Sequence, residues 1–165
     1  MVRLTGSVVV LCLVSLLWFA PAAFAQDNPF AGTWALDVEK SKIDTSPLPK
    51  SESRIYGTNV EGALTIVVEG VAADGAPYAY GATGDINGRS YPVVGRDVGA
   101  RILGDVISWS RIDPATVDMT IKKKGEVINT TRHSVSADGR MLTVTENGVD
   151  ENDKPVHSVL VYDRQ

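Results

Sequence analysis

Two histidines, His133 and His157, are the side chains in this 165-residue sequence best suited to proton transfer. Acting as a base, either one needs a carboxylate to orient its ring, and Glu146 or Asp163 are the candidates. A hydrolase or isomerase built on such a pair is one reading of the chain. The histidines fall on different predicted strands with no spacing that joins them, which is the pattern expected of surface residues. Motifs for other chemistries are missing: there is no Gly-x-Ser-x-Gly, no His-Glu-x-x-His and no phosphate-cradling glycine loop. Gly81-x-x-Gly84 leads into Asn87-Gly88 rather than a helix, so it cannot serve as a dinucleotide loop. The acidic run Asp150-Glu151-Asn152-Asp153 lacks the glycine and closing glutamate of a calcium loop and reads as a solvated turn. Asn129-Thr130-Thr131 has the form of a glycosylation acceptor, which matters only in a eukaryotic secretory route. No catalytic residue, metal set or cofactor is assigned, and the chain is read as a non-enzyme.

Binding chemistry has better material. Tyr78, Tyr80, Trp109 and Arg111 sit on predicted strands where they can line an interior cavity. Aromatic rings offer large apolar area, and an arginine fixes a carboxylate or phosphate through two parallel hydrogen bonds. The competing reading makes Trp109 plain core and sends Arg111 to solvent. Lys122-Lys123-Lys124 is a charged strand end that either meets an acidic partner or keeps a sheet edge from aggregating.

The chain that must hold these residues begins with an export signal. Arg3 is followed by an apolar run from Val8 to Phe19, a break at Pro21 and a small-x-small exit at Ala23-Phe24-Ala25. The run is too short for a membrane span. Cleavage after Ala25 is expected, leaving residues 26–165 as one domain, with no membrane attachment after signal cleavage and a periplasmic or extracellular destination. The formal charge of −4 becomes one unit more negative without Arg3. Nucleic acid and anionic membrane surfaces need basic patches, so neither is an expected partner. The single cysteine, Cys12, leaves with the signal. The mature domain then has no disulfide and no thiolate, and core packing must hold it together.

After residue 30, alternation with a period of two replaces helical periodicity. Strands are predicted at Gly32–Val38, Glu52–Val60, Ala63–Val71, Pro77–Ile86, Arg89–Val94, Asp105–Ile112, Val117–Lys122, Glu126–Val135, Arg140–Glu146 and Val156–Asp163. Glu39–Ser51 is expected to be a connecting loop, and Gly95–Gly104 a loop or short strand. Glu61-Gly62, Asp74-Gly75, Asn87-Gly88, Lys124-Gly125 and Asp138-Gly139 supply turns. Short strands at such spacing with no crossover helices make an antiparallel sandwich or barrel.

Phe30-Ala31-Gly32-Thr33-Trp34-Ala35-Leu36 resembles the opening strand of the calycins, the lipocalins and fatty-acid-binding proteins. Val159-Leu160-Val161-Tyr162-Asp163 resembles the closing strand of fatty-acid-binding proteins. The longer opening, Asn28 to Lys42, is similar to a group of exported bacterial proteins of unassigned function. The resemblance covers the two ends of the chain. It implies an up-and-down lipocalin-like barrel of eight to ten strands, with Gly32 and Trp34 structural at one end and Arg164 laid across the tryptophan. It adds Tyr162 to the ligand-binding candidates. The sequence departs from the family where Leu160 stands at the usual carboxylate-binding arginine, and where Glu39–Ser51 is too short for two helices.

The function expected is that of an exported small-molecule-binding protein holding a small, largely apolar ligand inside its barrel. An envelope interaction module with a filled barrel is the alternative.

Overall fold

The computed structural model describes residues 28–44, 47–95, 104–149 and 153–165. The expected signal segment with Cys12, most of Gly95–Gly104 and Asp150–Asn152 of the acidic run lie outside the described residues. Ten strands follow in order: β1 (Gly32–Ile43), β2 (Ser51–Thr58), β3 (Leu64–Val71), β4 (Pro77–Gly84), β5 (Ser90–Gly95), β6 (Val106–Asp113), β7 (Thr116–Lys123), β8 (Glu126–Val135), β9 (Met141–Val149) and β10 (Pro155–Arg164). Each pairs antiparallel with its sequence neighbour, and β1 pairs with β10 to close the barrel. The sandwich is thereby excluded and the up-and-down barrel holds.

Alternation does the sorting. Leu64, Ile66 and Val68 of β3, Ile107 and Trp109 of β6, and Leu142 and Val144 of β9 all point inward and are buried. The β4–β5 register is centred on Asn87-Gly88, with Ala82 opposite Val93, as a two-residue turn there requires.

Two expectations are corrected. The first strand does not end at Val38: β1 continues to Ile43 through residues expected in a loop. It does so by bulging between Asp37 and Lys42, after which pairing with β10 resumes at Val159. Side chains stabilise the bulge. Ser41 Oγ donates to Asp37 O at 2.6 Å and accepts from Val161 N at 2.9 Å, and Asp37 Oδ1 accepts from Glu39 N and Lys40 N. Polar residues that look like loop in a linear reading are the bulge's hydrogen-bonding groups. Second, Lys122 and Lys123 guard no edge. They pair with Val127 and Glu126 beside the β7–β8 turn, and a closed barrel has no edge there to protect.

Trp34 is fully buried and its indole donates to Phe30 O at 2.8 Å. The Arg164 guanidinium lies 4.1 Å from the Trp34 ring centre and donates to the carbonyls of Pro29, Ala31 and Gly139. Gly32 is required twice over: its φ is +126°, and a Cβ there would stand 2.9 Å from Arg164 Nη1.

Candidate functional site

Strand β2 carries Ser51-Glu52-Ser53-Arg54-Ile55-Tyr56, and its alternation puts Glu52, Arg54 and Tyr56 inside. Ile55, the aliphatic residue among them, faces out. Two charges in a barrel interior need compensation, and here they supply it to each other. Arg54 Nε donates to Glu52 Oε1 at 2.9 Å, with both side chains essentially excluded from solvent. The same Oε1 accepts from the Tyr162 hydroxyl at 2.6 Å, and Oε2 accepts from the Tyr78 hydroxyl. Tyr78 reaches Glu52 by passing over Gly70, which stands between them in the sheet; a Cβ at Gly70 would collide with the phenol ring. Arg54 also lies against the Tyr162 ring, 4.9 Å from its centre. Burial pushes the Tyr162 phenol well above its usual pKa, with Glu52 reinforcing the shift, so Tyr162 remains a donor. Burial disfavours the guanidinium charge, yet the face of the Tyr162 ring and the Glu52 carboxylate more than offset this and hold Arg54 protonated.

Arg54 has one nitrogen to spare. Nη2 is buried and has no hydrogen-bond partner among the described residues. It stands 3.6 Å from Glu146 Oε1, beyond hydrogen-bond length. Glu146 in turn accepts at Oε2 from Ser158 Oγ at 2.9 Å. Arg54 and Glu146 form the polar corner of a cleft whose other walls include Ile66, Tyr80, Ala82, Val93, Ile107 and Met119. The cavity within it is about 30 Å³, room for roughly two water-sized groups. The cleft sits behind β5, the most lightly paired strand. Three residue pairs tie β5 to β4 and three tie it to β6, and Pro92 has no backbone N–H to contribute.

A second polar group lies deeper in the interior. His133 of β8 is fully buried, with Nδ1 2.6 Å from the Tyr56 hydroxyl and Nε2 2.7 Å from Thr131 Oγ1. A neutral imidazole has one N–H and one bare nitrogen, so one hydroxyl donates to the ring and the other accepts from it. The ring edge meets Trp109 at 5.4 Å and Tyr56 at 5.9 Å between centres. Burial, helped by the charge of Arg54, holds the His133 pKa well below its usual value.

The residues expected to bind ligand separate as follows. Tyr80 lines the cleft. Tyr78 and Tyr162 are one step behind it, holding Glu52. Trp109 is core, wedged against His133, and its indole nitrogen has no hydrogen-bond partner among the described residues. Arg111 does not join them. It lies on the exposed end of β6 and donates to Pro114 O at 3.3 Å, because the strand has by then passed the barrel rim. The surface position expected for His133 is also corrected, whereas His157 is exposed and bonded to Asn147 Oδ1. The hydrogen bonds of both rings go to hydroxyls and an amide, so neither makes the histidine–carboxylate pair considered from the sequence. Glu52 and Arg54 were missed as site residues, and Glu146 was considered only as a carboxylate partner for a histidine. The available signal was parity: an acid and a base two residues apart, in step with an inward-facing tyrosine.

No known protein family matches the chain, and no curated protein matches it. Among solved structures it is similar to a biogenic amine-binding protein, a selenomethionine derivative, at 14% identity and a TM-score of 0.44. The similarity covers 84% of this chain and 66% of that one, so the chain spans slightly less than two thirds of that protein's length.

Proposed function

We propose that this chain is an exported, lipocalin-like barrel that binds a small, largely apolar molecule in the cleft beside Arg54. The observation that carries this reading is the buried Nη2 of Arg54, a charged donor with no hydrogen-bond partner among the described residues, 3.6 Å from Glu146 at the polar corner of a largely apolar cleft. Leaving such a donor unpaired costs about 1–3 kcal/mol or more, and a ligand acceptor relieves that cost. Aliphatic walls supply the rest, at about 25 cal/mol for each Å² of apolar ligand surface removed from water. A cavity of about 30 Å³ holds only the end of a ligand. The remainder must displace side chains, and Met119, an unbranched thioether, is the wall residue that moves most easily. Native mass spectrometry of protein purified from its own host tests the reading. A retained small molecule that is lost from a folded variant carrying both Arg54→Met and Glu52→Gln supports it; protein that is bare at every gentle ionisation setting, with no ligand recovered by organic extraction, refutes it.

A second reading, an interaction module with a filled barrel, is favoured by the small cavity and by the outer face. Ile55, Val67 and Val94 point outward in register across β2, β3 and β5, with Gly81 of β4 between the last two. Capture of the same envelope protein by the wild type but not by Ile55→Asp favours this reading over the first.

A further inference from the structure

The binding reading leaves open what kind of molecule the cleft takes, and the charges around it narrow the choice. Glu52, Arg54 and Glu146 are two carboxylates and one guanidinium within a chain of contacts no longer than 3.6 Å per step. A ligand carboxylate placed on Arg54 Nη2 would be a third anion in this small volume, and Glu146 has no proton donor to offer it. A ligand ammonium would find Glu146 but stand against the guanidinium, and it has no lone pair to accept from Nη2. Arg54 Nη2 needs an acceptor. Glu146 Oε1, 3.6 Å away, can take a donor. A group that does both would bridge them, at about 2.8 Å from each atom, once neighbouring side chains give way around the buried Nη2.

Resting on that reading of the cleft, we infer that the ligand is a neutral, largely apolar molecule ending in a hydroxyl or primary amide, which accepts from Arg54 and donates to Glu146. The polar end occupies the cavity. The apolar part runs along Ile66, Ala82, Val93, Ile107 and Ile121 toward the lightly paired β5. Ser158 acts as a positioning residue, holding Glu146 Oε2 so that Oε1 faces the guanidinium.

Calorimetric titration of the purified protein with three chains of equal length, 1-octanol, octanoate and octylammonium, tests the inference. At neutral pH octanol is expected to bind at least about tenfold more tightly than either ion, since like-charge contacts in a desolvated site are strongly unfavourable. Glu146→Gln removes one negative charge and should move octanoate up by about tenfold relative to octanol. The wild-type ranking is decisive by itself should that variant not fold. Octanoate or octylammonium binding as tightly as octanol overturns the ligand class and leaves the binding reading standing. Failure of all three to bind overturns both.

Discussion

Lowering the pH from 7.5 toward 4.5 forces the fold to keep His133 neutral while the unfolded chain takes up a proton at the same position. In the folded barrel the ring is fully buried between Tyr56, Thr131 and Trp109, and burial together with Arg54 holds its pKa well below normal. In the unfolded chain it titrates at about 6.5. The unfolded state therefore binds more protons over this window, and stability falls as the pH falls below 6.5. Each pH unit below 6.5 costs about 1 kcal/mol for as long as the folded ring resists protonation, so the loss grows steadily toward pH 4.5. A typical domain has only about 5–15 kcal/mol in total, so the loss is large enough to measure. Urea unfolding of the wild type and of His133→Gln, at half-unit steps of pH, isolates the effect. The variant should be less stable at pH 7.5, because a packed ring is gone. Its curve should then be flatter, and the gap should shrink by about 1 kcal/mol per unit below 6.5. His157 is common to both proteins, and so are Asp37, Asp118 and Asp138, whose lowered pKa values confine their losses to more acidic solution. Parallel curves from pH 6.5 to 4.5 would show that His133 is not the acid-sensitive group, and the account of its burial would be wrong.

Gly32→Ala should cost about 1–3 kcal/mol through its backbone angle, and more if Arg164 is displaced from Trp34; thermal unfolding and a shift in tryptophan emission check this. Gly70→Ala should break the Tyr78–Glu52 bond by filling the space the phenol crosses, with a loss of about 1–3 kcal/mol. Tyr78→Phe should be nearly as destabilising, and combining it with Gly70→Ala should add little; full additivity in denaturant melts would separate the two effects and refute the shared cause. Arg54→Met leaves Glu52 buried without its cation and should cost about 3–5 kcal/mol, of which Glu52→Gln in the same chain recovers a substantial part; equal stability of the single and double variants counts against the pairing.

The barrel could be read from the sequence because its signals are local. Five of the hairpins announce themselves through alternation and a turn dipeptide. The charged interior could not be read in the same way. Hydrophobicity would put Ile55 inside and Glu52 and Arg54 outside, yet Ile55 is exposed and the charged pair is buried. What inverts the strand is not local: Tyr78 comes from β4, two strands along the sheet, and only closure of the barrel brings the Tyr162 hydroxyl of β10 and the Glu146 carboxylate of β9 to β2. Arg54 lies on the Tyr162 ring although more than a hundred residues separate the two in sequence. The burial of His133 could not be read for the same reason, because Tyr56, its partner on one side, is 77 residues distant.

Closure also sets an order on assembly. Nine of the ten strand pairings join sequence neighbours, while the β1–β10 seam ties Ser41 to Val161 across 120 residues. Local hairpins form quickly, and distant pairings wait on loop closure. A chain folding from its N-terminal hairpins can zip from β1 as far as β9, yet it stays an open ribbon with two bare margins until β10 joins. Over that interval Glu52 has Arg54 and Tyr78 but lacks Tyr162. The last strand thus completes the wall and the polar network in one step, and the period before its arrival is when this protein is most exposed to intermolecular strand pairing.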